Sequence, residues 1–403
     1  MKNTFKKVMS FALAAALTVG SVFALASCGK KNNNETIKIG VSAPLTGVAA
    51  QYGIAVKNSA QMAVDEINNA GGLDGIKFEL MVLDDEHKKE NVTTTYSSMY
   101  EDGMQISLGT VTTAPGLEFK EMSKDDNVFV LTPSATGDAI VEYDNAYQMC
   151  FSDNNQGTAS AKYFNENYVG KKVGVFYKSD DEYSTGIYEK FMASIAQSFK
   201  DAGIEIASFS GDGMDFSTQV NKLKDCDVIF LPIYSEPAAA FMTKGVGMIK
   251  NNAVYYGCDG LDGVESKFGS MAEFMAIPQE VSFLSHFNST ATSGPAYEFV
   301  QKYNAKYDED KEPVNQFGAA AYDCIYAIFE ALKVAKANGE DFDAETSASD
   351  FCEILKEVFN SSDFVFHGVT GKCEGNNKSN ISWSASGFVN KEAVKYVVKE
   401  KNS

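Results

Sequence analysis

Six stretches between residues 42 and 260 carry hydroxyls, tyrosines and acids in a pattern suited to holding a small polar molecule. They are Ser42-Ala-Pro-Leu-Thr-Gly47 with Gln51-Tyr52-Gly53, Gly109-Thr-Val-Thr-Thr113, Thr132-Pro-Ser-Ala-Thr136, Asp180-Asp-Glu-Tyr-Ser-Thr-Gly186, Pro232-Ile-Tyr234 and Gly257-Cys-Asp-Gly260. Taken singly, Thr112, Thr113 and Thr136 suit helix N-caps. The same hydroxyls beside free backbone N–H groups also make a carboxylate site, favoured by the helix dipole. Asp259 alone would serve a turn with Gly260, and Tyr52, Tyr183 and Tyr234 alone would serve packing. No nucleophile–base pair recurs in the set. The chain also lacks G-x-S-x-G, H-E-x-x-H and P-loop patterns, and Gly245-Val-Gly-Met has Lys250 where a dinucleotide fingerprint needs its third glycine. His87, His286 and His367 stand apart, and Asp84-Asp85-Glu86 lacks the spacing of a calcium loop. The chemistry on offer is binding, with no enzyme activity, metal or cofactor expected.

Each stretch follows a predicted strand. The first series of strands is Ile37 to Val41, Ile76 to Leu83, Gln105 to Leu108 and Val128 to Leu131. A second series runs Lys172 to Tyr177, Ile204 to Phe209, Val228 to Leu231 and Val254 to Tyr256. Helical patterns fill the gaps, at 53–70, 88–100 and 116–123, then at 155–167, 184–202, 215–224 and 236–250. Strands alternating with helices imply right-handed βαβ units and parallel sheets. Two series predict an α/β protein of two doubly wound, Rossmann-like lobes, whose ligands bind beyond the carboxyl ends of the strands. Past residue 281 the pattern is mostly helical (295–307, 317–337 and 348–359), and the C-terminus reads as short strands.

The chain has 403 residues, 44% of them hydrophobic, and a net charge of −19. Its 35 cations are all lysine, so it lacks the guanidinium forks that bind nucleic acid, and no nucleic-acid partner is expected. Lys2, Lys6 and Lys7 precede an uncharged run from Val8 to Ala26 that ends in Leu25-Ala26-Ser27-Cys28. Residues 1–27 read as a secretory signal peptide, and no second long apolar run follows. Residues 28–36 form a polar tether. The other six cysteines (Cys150, Cys226, Cys258, Cys324, Cys352 and Cys373) are scattered without a C-x-x-C pair, so disulfides and buried thiols both stay open. Trp383, the lone Trp, lies far from the binding motifs and does not suit a double-aromatic sugar clamp.

The order of Pro44-Leu-Thr-Gly47, Gln51-Tyr-Gly53, Ala70-Gly-Gly-Leu73, Asp84-Asp85, Thr132-Pro-Ser-Ala-Thr136, Tyr183-Ser-Thr-Gly186 and Asp215-Phe-Ser217 resembles the leucine/isoleucine/valine-binding protein family. These are type I periplasmic solute-binding proteins of amino-acid ABC importers. Leu-Ala-Ser-Cys28 likewise resembles the bacterial lipobox, which implies a lipidated Cys28 holding the protein on the outer face of the cell membrane. The resemblance implies two lobes joined by three crossovers: residues 37–152 and 282–383 form the first lobe, and 153–281 with 384–403 the second. It implies that Thr113 and Thr136 donate hydroxyls to an amino-acid head group, with main-chain contacts from Val111 and Ser134. Tyr52, Tyr183 and Tyr234 would line or close the cleft and Asp259 would take the ammonium, with Thr112, Ala135 and Gly260 in the same contacting segments. Asp259 stands where the family often has glutamate, Ser134 where it has alanine, and Thr112-Thr113 where it has two serines. A zwitterion needs an anion site and a cation site side by side, and hydroxyls at helix N-termini serve the carboxylate at about 1.5–3 kcal/mol per charge-assisted bond. The partners implied are an amino acid and a membrane permease, with the binding protein a monomer. The same fold holding an amide or nucleoside, or acting as a ligand sensor, is the alternative.

Overall fold

The computed structural model describes residues 36–307, 312–372 and 378–401. The expected signal peptide, Cys28 and Cys373 lie outside the described residues. The first lobe opens with β1 (Thr36–Ala43), α1 (Ala50–Asn69), β2 (Lys77–Asp84), α2 (Lys89–Glu101), β3 (Ile106–Thr110), α3 (Thr113–Asp125), β4 (Phe129–Thr132) and β5 (Ala146–Gln148). The chain then builds α4 (Asp153–Asn167), β6 (Val173–Lys178), α5 (Glu182–Ser194), α6 (Gln197–Ala202), β7 (Glu205–Phe209), α7 (Ser217–Leu223), β8 (Val228–Leu231), α8 (Ser235–Gly245), β9 (Val254–Gly257), α9 (Met271–Ala276) and β10 (Glu280–Ser285). It ends with α10 (Gly294–Lys306), α11 (Gln316–Asn338), α12 (Ala348–Phe359), β11 (Phe366–Gly368), β12 (Ser379–Ile381) and β13 (Val394–Lys399).

Two main sheets result. One has the order β2-β1-β3-β4-β5 and is wholly parallel; the other is β13-β10-β9-β8-β6-β7, antiparallel only between β10 and β13. In both, the second strand lies on the far side of the first, so the order reverses beside β1 and beside β6, where ligands of such sheets bind. Strands β3, β4, β8 and β9 are buried throughout, as parallel strands with helices on both faces must be. α11 packs along α1, closing the first lobe with a segment distant in sequence.

Four details depart from the sequence reading. The helix expected over 184–202 breaks at Ile195 and Ala196, both extended, because the Asn165 side-chain oxygen accepts the Ala196 N–H at 2.9 Å and replaces a helical bond. β5 and β10 went unread. Every residue of β5 is buried, as is all of β10 but its first, so neither shows an alternating pattern. β10 also keeps the chain in the second sheet to Ser285, past the expected return at 282. Near the C-terminus, residues 384–390 stay on the first lobe, where the Gly387 carbonyl accepts the Gln148 N–H at 2.9 Å and Phe388 packs against its core. The chain crosses to the second sheet only after Asn390.

The three passages between the lobes are tied together. The Lys391 ammonium donates to the Met149 carbonyl at 2.7 Å and to the Thr370 hydroxyl. Gly371 N–H donates to the His286 carbonyl at 2.6 Å. The Phe151 ring meets His286 edge-on at 5.1 Å. Cys150, Cys226, Cys258, Cys324 and Cys352 are buried free thiols.

Candidate functional site

The site forms where strand ends of the two lobes face each other. In the first lobe α1 comes so close to the loop after β1 that a Cβ on Gly53 would sit 2.0 Å from the Pro44 carbonyl oxygen. That approach carries Gln51 and Tyr52 to the cleft. β3 ends at Thr110 and α3 starts at Thr113, so Val111 and Thr112 form the turn, and Thr113 lies three residues ahead of the helix start expected at 116. Thr112 occupies the N-cap position, yet its hydroxyl makes no capping bond. After β4 the Thr132 hydroxyl donates to the Thr110 carbonyl at 3.0 Å and accepts the Ala135 N–H at 3.1 Å, folding residues 133–136 back over the sheet.

The second lobe supplies helix starts. Asp181 caps α5 by accepting the Ser184 N–H at 2.8 Å, which leaves Tyr183 in the first turn. Tyr234 sits at the N-cap of α8, and Asp259 opens a 3₁₀ turn after β9. Tyr183 and Tyr234 stack at 4.7 Å.

Together these residues line one narrow pocket between the lobes. Tyr52, Val111, Thr112, Thr113, Ser134, Thr136, Tyr183, Tyr234, Asp259 and Gly260, all named from sequence, line it with Phe317. Ala135 does not: its N–H goes to Thr132, and its carbonyl accepts from the Gln148 amide at 3.0 Å. Phe317 was unread, because the start of α11 gives no sign of facing a cleft; its ring meets Tyr52 edge-on at 5.2 Å. Asp153 was missed as well. The reading began α4 at 155, although Ser152-Asp153 is a recognisable cap, the Ser152 hydroxyl accepting the Asn155 N–H.

The lobes touch around this cavity. The Tyr52 hydroxyl donates to the Gly260 carbonyl at 2.6 Å and accepts the Ser235 N–H at 3.0 Å. The Gln51 amide donates to the Ser235 hydroxyl at 2.6 Å and to the Asp262 carbonyl at 3.0 Å. Gln316 N–H donates to the Asp262 carboxylate at 2.9 Å.

The polar atoms are unevenly satisfied. Asp259 is 1% exposed; one carboxylate oxygen accepts from the Tyr183 hydroxyl at 2.7 Å, and the other has no partner among the described residues. Burial pushes its carboxyl up to about 7, against the Tyr183 hydrogen bond that pulls it down. Asp153, next to Thr136, is buried too; burial, then the nearby Asp259 charge, hold its carboxyl well above the usual range, and its Oδ1 is unpartnered. The Thr113 hydroxyl and the Gln156 amide nitrogen are likewise buried without partners. An unsatisfied buried polar group costs about 1–3 kcal/mol, and two of these atoms, on Asp259 and Thr113, belong to residues that line the pocket. Among the described residues no cluster of His, Cys, Asp or Glu is placed to hold a metal ion.

Comparison with known proteins decides the family. The periplasmic binding protein family matches residues 36–357. The chain belongs to that family. It is similar to the Leu/Ile/Val-binding protein BraC3 of Rhizobium johnstonii, 29% identical over 362 residues that cover 88% of this chain and 93% of that one. It is also similar to the leucine-, isoleucine-, valine-, threonine-, and alanine-binding protein of Pseudomonas aeruginosa, 27% identical over 313 residues, 75% of this chain and 79% of that one. Among solved structures, the branched-chain amino acid substrate-binding protein LivJ of Streptococcus pneumoniae, in complex with isoleucine, superposes with a TM-score of 0.70 at 27% identity, covering 90% of this chain and 100% of that one. The leucine-binding protein LivK of Thermotoga maritima gives a TM-score of 0.72 at 22% identity, covering 91% and 98%, and so shows the shared type I fold. Among the described residues no helix is long and apolar enough to cross a membrane.

Proposed function

We propose that this family member is the extracytoplasmic, lipid-anchored solute-binding component of an ABC importer, and that it takes an α-amino acid by lobe closure. The observation that carries the reading is the pairing, in one cavity, of a half-satisfied buried Asp259 with an unpartnered Thr113 hydroxyl. An ammonium satisfies Asp259, and a carboxylate accepts from Thr113 and Thr136 and from the N–H groups at the start of α3. The named relatives support the amino-acid class, and the absence of arginine makes neutral donors the natural carboxylate partners. Closure follows from a ligand that touches both lobes, since only such a ligand shifts the balance between open and closed forms. Cys28 would carry the lipid, the protein would act as a monomer, and the permease would read the closed lobes.

The test is a thermal-shift panel of amino acids, amides, nucleosides and aromatic acids on the chain from residue 29 onward. A ligand at 100 times its Kd adds about 2.7 kcal/mol of stability. Amino acids should shift the transition; a shift with amides or nucleosides alone overturns the reading. Intact-mass analysis of the mature protein tests the anchor: an N-terminal Cys28 carrying acyl chains is expected, and an unmodified Cys28 or a start elsewhere refutes that part.

A further inference from the structure

His87 is a residue the binding scheme above leaves unused, and the inference drawn from it rests on that amino-acid reading. Beyond β2 the chain turns with Glu86 and His87 both at positive φ, 55° and 60°, a region that L side chains seldom adopt. Two carboxylates hold the turn there: Asp84 accepts the Leu45 and Glu86 N–H groups at 2.8 and 2.9 Å, and Asp85 accepts the His87 N–H at 2.9 Å. The imidazole is thereby carried between the lobes. Its Nδ1 lies 2.9 Å from the Thr112 hydroxyl in the first lobe, and its ring meets Tyr234 of the second lobe edge-on at 5.2 Å. This explains why Thr112, at an N-cap position, caps nothing.

Thr112 and Tyr234 both line the cavity. With Tyr52, Val111 and Phe317 they make a wall without a charged side chain, so that wall selects by shape. The Tyr52 hydroxyl is already engaged by Gly260 and Ser235. We propose that His87 is a positioning residue that fixes Thr112 and Tyr234 across the cleft, and so determines which ligand side chains fit. It touches no ligand itself; it acts through the two residues that do.

The charged groups near the imidazole are Lys178 at the end of β6, Glu182 at the start of α5 and Asp212 after β7, with the buried Asp85 on its own turn. Burial, then Lys178, pull His87 down from 6.5 to about 4. An imidazole exposed by lobe opening titrates near 6.5, so the open form gains the proton first. The imidazole's share of the acid weakening is therefore absent above pH 6.5 and grows as pH falls towards 4, to about 30-fold in Kd at pH 5 relative to pH 7.5, on top of the loss from protonation of Asp259, whose carboxyl is raised to about 7.

The experiment measures Kd by calorimetry for alanine, valine, leucine and phenylalanine, at pH 7.5 and pH 5, on wild type, His87→Asn and Thr112→Val. Asparagine tolerates positive φ and keeps a polar atom at the Nδ1 position, but has neither the ring nor the titration. His87→Asn should lose only the imidazole's share of the acid weakening, about 30-fold, keeping the share that protonation of Asp259 carries, and bind phenylalanine at least about tenfold better relative to alanine. Thr112→Val should alter the ranking and keep the acid weakening, because His87 still titrates. An unchanged ranking in both variants, or the same acid weakening in His87→Asn as in wild type, overturns the inference and leaves the amino-acid reading standing. Failure of wild type to bind any amino acid overturns both.

Discussion

Replacing Asp259 by asparagine should weaken ligand binding and stabilise the ligand-free protein at the same time. Asparagine keeps the shape and the acceptor for Tyr183, but it removes the buried charge. The rise of the carboxyl from 3.8 to about 7 corresponds to about 4 kcal/mol of destabilisation at pH 8, at about 1.4 kcal/mol per pH unit. The folded, ligand-free protein binds this proton more tightly than the unfolded chain does. Its stability therefore declines as pH rises from about 4 to about 7 and is level above that. Asp259→Asn should flatten that decline and raise the apo transition temperature at pH 8. With ligand the sign reverses: the ammonium loses its charged partner and faces an amide, a loss of about 2–4 kcal/mol, or about 30- to 900-fold in Kd. Calorimetric titration with the best amino acid from the panel, beside apo melting curves at pH 5 and pH 8, reads both quantities. A Kd within twofold of wild type, or an apo protein less stable than wild type at pH 8, would refute the assignment of Asp259 as the ammonium site.

Other variants probe the rest of the cleft. Thr113→Val removes a hydroxyl that makes no protein bond, so affinity should fall by about 1.5–3 kcal/mol with the apo melting temperature unchanged; a matching loss of stability would assign Thr113 to the core. Tyr52→Phe strips the hydroxyl that joins Gly260 and Ser235 across the lobes, which should cost about 1–3 kcal/mol of affinity, carried by a faster off-rate in stopped flow rather than a slower on-rate. In Gly260→Ala the new Cβ would sit 2.7 Å from the Tyr183 hydroxyl and 3.0 Å from the Ile233 carbonyl oxygen. That crowding pushes Tyr183 off Asp259 and should weaken binding by about 1–3 kcal/mol, whereas native affinity would place the Tyr183–Asp259 bond outside the binding scheme.

Strand-end chemistry was legible in the sequence because it is local. Thr112-Thr113, Ser134 and Thr136, and Asp259-Gly260 each follow a short apolar run, and βαβ logic turns every such run towards the same edge. Phe317 and Asp153 were not legible, since their place in or beside the cleft depends on how the return segment and the first passage between lobes pack. The strands β5 and β10 escaped for a related reason: burial on both faces erases the alternation that marks a strand. The break between α5 and α6 depends on Asn165, a partner some thirty residues away in the chain, which local propensity does not register.

The linked passages between the lobes have a mechanical consequence. With Lys391 bonded to Met149 and Thr370, and the adjoining Gly371 bonded to His286, the three passages would flex as one torsion bar instead of three independent springs. Under the proposed closure, the swing of one half against the other would be confined to a single arc, and the mouth would shut in the same alignment each time. A lesion at Lys391 would let the halves wander and would blur recognition some distance from any atom of the guest.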